Sequence, residues 1–116
     1  MDIEQFVRDV RAAGGASVNM AGQRPVTGYM VGMPGTEFTV PVAEFDEGVV
    51  AEYLGLYGPL LHVGANTYLG AWESDGTVYL DVSAQFMARQ EAIEAGQIAD
   101  QLAIYDVEAG DDIKLA

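Results

Sequence analysis

The sequence predicts a single α+β domain over residues 1–116, with a largely antiparallel sheet of about five to six strands built from two hairpins and about three helices. Three observations carry that expectation. Two pairs of strand-like segments flank tight turn dipeptides, Pro34-Gly35 and Asp75-Gly76. Apolar or small residues recur at helical spacing in three other places. Hydrophobic residues make up 50% of the chain, enough to build one core, and no linker divides it.

The elements follow in chain order. Asp2-x-x-Gln5 reads as a capping box, and Ile3, Phe6, Val7 and Val10 form one apolar stripe that Gly14-Gly15 ends. Residues 16–20 read as a short edge strand and residues 21–25 as a loop. Residues 29–33 and 36–42 are expected to pair as a hairpin through a type II turn at Pro34-Gly35. That register puts Tyr29, Val31, Phe38 and Val40 on a core face and Met30, Gly32, Glu37 and Thr39 on the other.

Asp46 is a good N-cap, and Phe45 with Val50 is placed for a hydrophobic staple. The helix that follows buries Val50, Tyr53, Leu54 and Tyr57 and stops at Gly58-Pro59. Residues 67–73 and 77–82 form the clearest hairpin, because Asp75-Gly76 signals a type I′ turn. Ser74 then opposes Thr77, and Ala71 with Leu80 and Leu69 with Val82 make the core face. Trp72 with Tyr79, Gly70 with Asp81 and Tyr68 with Ser83 fall on the opposite face. A third helix spans residues 89–101, with Ala92, Ala95, Gly96 and Ala99 allowing close approach to a sheet. Residues 102–107 read as a strand, Ala109-Gly110 as a turn, and residues 113–115 as a segment that pairs back.

Charge excludes whole classes of function. The chain has 18 Asp and Glu against 5 Lys and Arg, a net charge of −13. Direct binding to nucleic acid needs a basic face, which Arg8, Arg11, Arg24, Arg89 and Lys114 cannot build. The same field repels anionic lipid and attracts basic proteins. Residues 49–63 are the longest apolar stretch, short of the ~20 residues that span a bilayer and interrupted by Glu52, Gly58, Pro59 and His62. Asp2 and Glu4 stand where a signal peptide carries positive charge, so the expected location is the cytoplasm. Cysteine is absent, which removes disulfides and thiolate chemistry.

Catalytic signatures are not found. Ser17, Ser74, Ser83 and His62 lie in no nucleophile elbow, and His62 reads as a histidine at the edge of the core. Asp106, Glu108, Asp111 and Asp112 form the densest acidic group, but the spacing fails the EF-hand loop and reads as a solvated turn. Gly28, Gly32 and Gly35 lack the Lys-Ser/Thr of a phosphate loop. No catalytic residue, metal site or cofactor is expected.

Two features point to a protein partner. Tyr68, Trp72 and Tyr79 share the hairpin face opposite its core side, and such aromatics are enriched at interface cores. Cover by a helix or by the N-terminal loop is the competing expectation. The second feature is acidity. A domain of this length spans roughly 35 Å, and duplex DNA of that length carries about 20 charges, comparable with the carboxylates here. DNA mimicry is one reading of that number; acidity that favours solubility is the other. The candidate partner-binding residues are Tyr68, Trp72 and Tyr79 with Glu73, Asp75, Asp81, Glu91 and Glu94.

The motifs Tyr68-Leu69-Gly70-Ala71-Trp72, Gly76-Thr77-Val78-Tyr79-Leu80-Asp81-Val82-Ser83, Glu91-Ala92, Gln101, Ala103-Ile104-Tyr105-Asp106 and Gly110 resemble small uncharacterised proteins of actinobacterial phages and mobile elements, over roughly residues 66–113. The resemblance implies an accessory gene product working in the host cytoplasm, a class that includes inhibitors of host defence. It supplies no active site. The expected function is a non-enzymatic acidic accessory protein that binds a host or phage protein. An inhibitor of a nucleic-acid-handling defence or regulatory protein is its sharpest form. A virion or assembly component that self-associates is the alternative, and a small-ligand- or metal-binding protein with a pocket around His62 is a weaker one.

Overall fold

The computed structural model describes residues 1–115, with the backbone alone of Val63. Helix α1 (Ile3–Ala13) starts at Asp2, whose carboxylate accepts from the Gln5 backbone N–H at 3.1 Å. The reciprocal half of the capping box does not form. Gln5 instead donates along the helix to Asp9 and accepts from Arg8. Gly14 ends the helix in the left-handed region at φ 82°, where its N–H reaches the Val10 carbonyl.

Strand β1 (Gly15–Val18) is the expected edge strand and pairs antiparallel with β4 (Thr67–Ser74). Strands β4 and β5 (Thr77–Phe86) form the hairpin in the register read from the sequence, from Ser74 opposite Thr77 to Tyr68 opposite Ser83. Asp75 and Gly76 both take positive φ, 50° and 79°, as a type I′ turn demands.

The hairpin expected over residues 29–42 does not form. Strands β2 (Tyr29–Gly32) and β3 (Phe38–Pro41) both pair with β5 and lie end to end along its second edge. Tyr29 opposes Phe86 and Gly32 opposes Ser83; Phe38 then opposes Leu80 and Pro41 opposes Thr77. The turn itself is the one expected: Gly35 has φ 79° and the Thr36 N–H points to the Met33 carbonyl. A type II turn has the wrong twist for a two-residue hairpin and splays its strands. Here it makes a step between two collinear segments. Tyr29, Val31, Phe38 and Val40 still share one sheet face, since their β5 partners Phe86, Ala84, Leu80 and Val78 alternate in phase. Phe38 lies at the margin of that face, however, and is 47% exposed rather than buried.

Thr36 holds the step together. Its hydroxyl donates to the Met33 carbonyl at 2.8 Å and accepts from the Val82 N–H at 3.1 Å. The Met33 N–H bonds the Val82 carbonyl, and the Thr36 carbonyl accepts the Tyr53 hydroxyl at 2.6 Å. A buried threonine, 3% exposed, thereby supplies the acceptor for the Val82 N–H that a paired strand residue would otherwise provide.

All three helices cover one face of the sheet. Helix α2 (Glu47–Tyr57) is capped by Asp46 at the Val49 N–H, and Phe45 and Val50 are both buried at the staple positions. With α1 it packs over Leu69, Ala71, Val78, Leu80 and Val82 to form the larger core. Helix α3 (Arg89–Ile98) covers Val31 and Ile104 beside Phe86, farther along the same face. Gly96 allows this approach, for a Cβ there would lie 2.8 Å from the Ile104 side chain. Strands β6 (Ala103–Asp106) and β7 (Asp111–Lys114) form a second hairpin that joins the sheet through β2. The six strand positions run β1-β4-β5-β2-β6-β7, with β3 filling out the edge of β5 beyond β2.

Thr36→Val keeps the shape and removes the hydroxyl, leaving the buried Val82 N–H without its acceptor and the Met33 carbonyl with the longer Thr36 N–H contact alone. The expected loss is about 1–3 kcal/mol in denaturant unfolding, with Thr36→Ser retaining most of it. Equal stability of Thr36→Val and the parent chain would remove Thr36 from this role.

Candidate functional site

Among the described residues, the second face of the sheet carries no helix. Strand alternation places Gly15 and Ser17 of β1, Tyr68, Gly70 and Trp72 of β4, and Tyr79, Asp81 and Ser83 of β5 on it. Trp72 and Tyr79 are directly paired across β4 and β5 and stack, with centroids 4.2 Å apart and planes 9° from parallel. Such a pair stabilises a hairpin by ~0.5–1.5 kcal/mol beyond its buried area. Trp72 remains 46% exposed. The expected aromatic face is therefore open at this end.

At the other end it is closed. Tyr68 is 7% exposed, and its hydroxyl donates to the Gln85 side chain. The Gln85 amide in turn donates to the Thr27 carbonyl at 2.8 Å. The loop leading into β2 is thus tied down beside Tyr68, and the cover expected for the whole face reaches only this part of it.

Asp81 lies between the two ends, and glycines make room for it. A Cβ on Gly70, directly opposite, would stand 2.6 Å from Asp81 Oδ1. A Cβ on Gly32 would stand 3.2 Å from Oδ2 and 3.0 Å from Gln101 Oε1. The carboxylate rests flat on a floor without side chains. One hydroxyl, Ser83 Oγ, donates to it at 3.1 Å. Burial pushes the Asp81 carboxyl above its ordinary value, the Ser83 hydrogen bond draws it partly back, and the nearby Glu37 charge raises it further. Nothing in the sequence marked this burial; the small residues Gly32 and Gly70 on neighbouring strands were the available signal.

The acidic candidates do not all gather here. Asp81 shares the face with Trp72 and Tyr79. Glu73 is exposed at the end of β4 and, opposite Val78, alternates toward the helix-bearing side. Asp75 is exposed in the hairpin turn. Glu91 and Glu94 are exposed on α3, which packs over the other face. Sequence proximity to the hairpin did not carry them to its aromatic side.

The electrostatics of this face are one-sided. Strands β1 to β5 contain two charged residues, Glu73 and Asp81, both acidic. Three of the four arginines are engaged elsewhere: Arg8 pairs with Glu4, Arg24 with Asp9, and Arg11 donates to the Phe45 carbonyl, while Arg89 lies on α3 over the other face. Lys114 is the cation on this side of the sheet, on β7, three strand positions from β5.

Other concave or polar places are already satisfied or dispersed. A cleft of about 340 Å³ lies between α1 and β1, lined by Asp2, Gln5, Phe6, Asp9, Ser17 and Arg24 among others. The Gln5 hydrogen bond foremost, with help from Arg24, holds the Asp9 carboxyl below its ordinary value. His62, expected at the core edge, is exposed, and the cleft is not beside it. Among the described residues no three of His, Asp and Glu converge as metal ligands, and no helix is long and apolar enough to cross a membrane.

No protein-family model, curated protein or solved structure matches the chain. The site is therefore read from its own geometry.

Asp81 titrates with a raised folded-state pKa, so its favourable contribution is complete below its ordinary value of 3.8 and is lost as pH rises through the raised value. Above the raised value the ionised carboxylate is a cost to folding. Asp81→Asn keeps the acceptor for Ser83 and is expected to raise Tm at pH 7. The difference from the parent chain should shrink as pH falls toward the ordinary carboxylate range. A lower Tm for Asp81→Asn at pH 7, measured by calorimetry, would contradict this account.

Proposed function

We propose that the chain is a non-enzymatic acidic accessory protein, of phage or mobile-element origin, that works in the host cytoplasm by binding a basic protein through the uncovered face of its sheet. One observation carries the reading. The stacked Trp72–Tyr79 pair stands half-exposed beside a carboxylate whose burial disfavours folding, on strands without a Lys or Arg. A protein shaped by stability alone gains nothing from Asp81 at that position. A partner that brings positive charge and covers the aromatics recovers that cost on binding.

Acidity over the rest of the molecule adds reach. A net charge of −13 steers basic partners toward the surface and repels nucleic acid. The principal-axis extents, 36 × 32 × 25 Å, agree with the span expected from the chain length, over which the carboxylates are comparable in number with duplex phosphates. A partner that handles nucleic acid presents the complementary basic surface, and occupying it would inhibit that partner. Inhibition of a defence or regulatory protein is the sharpest form of this proposal.

Self-association is a second reading, favoured by the free outer edge of β3. That strand pairs with β5 alone among the described residues, and Phe38 and Leu56 are exposed next to it. Sedimentation equilibrium separates the two: a defined oligomer lost on Phe38→Lys supports assembly.

The binding reading is tested with a purified basic nucleic-acid-handling protein recovered from an actinobacterial host on the tagged chain. Binding should weaken steeply with salt, be displaced by duplex DNA, and fall at least about tenfold for Trp72→Ala with Tyr79→Ala. Salt-independent binding that DNA leaves intact would sink the inhibitor form.

A further inference from the structure

We infer that the trough between Trp72 and Asp81 seats one arginine side chain of the partner, its guanidinium lying on the outer face of the indole while its N–H groups reach the Asp81 carboxylate. This rests on the reading that the uncovered face binds a basic protein, and it names the group recognised there.

Geometry sets out the seat. Parallel rings on directly paired residues turn their outer faces toward the flanking strands, the Trp72 indole toward β1 and the Tyr79 ring toward β3. The residue of β1 paired with Trp72 is Gly15, so that position places no side chain beside the indole. One step along the same strands lie Ser17 and Gly70, also paired, with the Asp81 carboxylate leaning over Gly70. Trp72 and Gly70 are two residues apart on one strand, about 7 Å. A planar fork displaced along the indole toward Gly70 shortens that interval toward hydrogen-bond distance.

Chemistry selects the occupant. An ionised carboxylate offers about four acceptor positions, and within the chain one donor, Ser83 Oγ, is bonded to it. Oδ2 has no hydrogen-bond partner among the described residues and is not fully closed off from solvent. An arginine satisfies both the carboxylate and the ring, because its delocalised fork donates in plane and stacks by its face. A lysine ammonium is a hydrated point charge that meets one of the two needs at a time. A second copy of this chain is disfavoured as the source, since it carries the same charge of −13.

The test uses two blocked Gly/Ser peptides of equal length and charge, one carrying arginines and the other lysines at the same positions. Binding to the full chain is followed by calorimetry and by fluorescence of Trp72, the single tryptophan. The arginine peptide should bind about tenfold tighter and perturb the Trp72 emission. Asp81→Asn and Gly70→Ala should each erase that preference; the second displaces the carboxylate and leaves the net charge unchanged. Glu47→Gln, on α2, removes one charge from the other side and should leave the preference intact. Equal affinities for the two peptides, or a preference that survives Asp81→Asn, would overturn the arginine seat while sparing the acidic-partner reading. Failure of both peptides to bind at low salt would overturn both. Circular dichroism of each variant confirms that the fold persists, and Asp81→Asn is expected to fold at least as well as the parent.

Discussion

The architecture depends on how the second edge of β5 is filled. Strand β5 is ten residues long, and β4 occupies one side of it. Its other side is too long for either β2 or β3, so the two share it, separated by the Pro34-Gly35 step. The step leaves Val82 facing no strand residue. The Thr36 hydroxyl and the Met33 N–H fill that gap, and the Thr36 carbonyl receives the Tyr53 hydroxyl from α2. Burial pushes the Tyr53 hydroxyl well above its ordinary value, so it remains a donor across the physiological range. Sheet, turn and helix are joined through one threonine, in a place where any unmet polar group would be costly.

Consequences extend to the other side of the sheet. Because the two segments shift register between them, Gly32 ends β2 beside Ser83, and no side chain rises from it next to Asp81. Gly70 does the same from β4. The carboxylate is thereby lowered onto the sheet and desolvated rather than held out in water. Stability would favour an asparagine or an apolar residue there. A local departure from what folding alone would select, beside exposed stacked aromatics, is the physical basis for reading this face as a binding surface.

Charge is organised by the same division of faces. Helix α1 and the loop after β1 spend their cations locally: Arg8 on Glu4, Arg24 on Asp9, and Arg11 on a backbone carbonyl. The surface pairs among these add little stability. Their larger effect is to leave β1 to β5 without internal counter-charge, so Asp81 meets a cation when one arrives from outside.

Sequence alone determined whatever local chemistry enforces. Asp2 and Asp46 as caps, Gly14 as a stop and the full register of the 67–83 region were legible, since caps, positive-φ turns and two-residue alternation act between near neighbours in the chain. Placing Tyr68, Trp72, Tyr79 and Asp81 on one face followed from the same alternation. Tertiary structure decided the rest. The alternation of residues 29–42 is satisfied equally by a hairpin and by two collinear partners of β5, and competition for that distant edge chose between them. Which aromatics stay open was also non-local: a loop tied to Gln85 closes Tyr68 and leaves Trp72 free. The desolvation of Asp81 depends on two glycines far apart in sequence that meet only across the assembled sheet, and pairwise distance of that kind is not encoded in any periodicity.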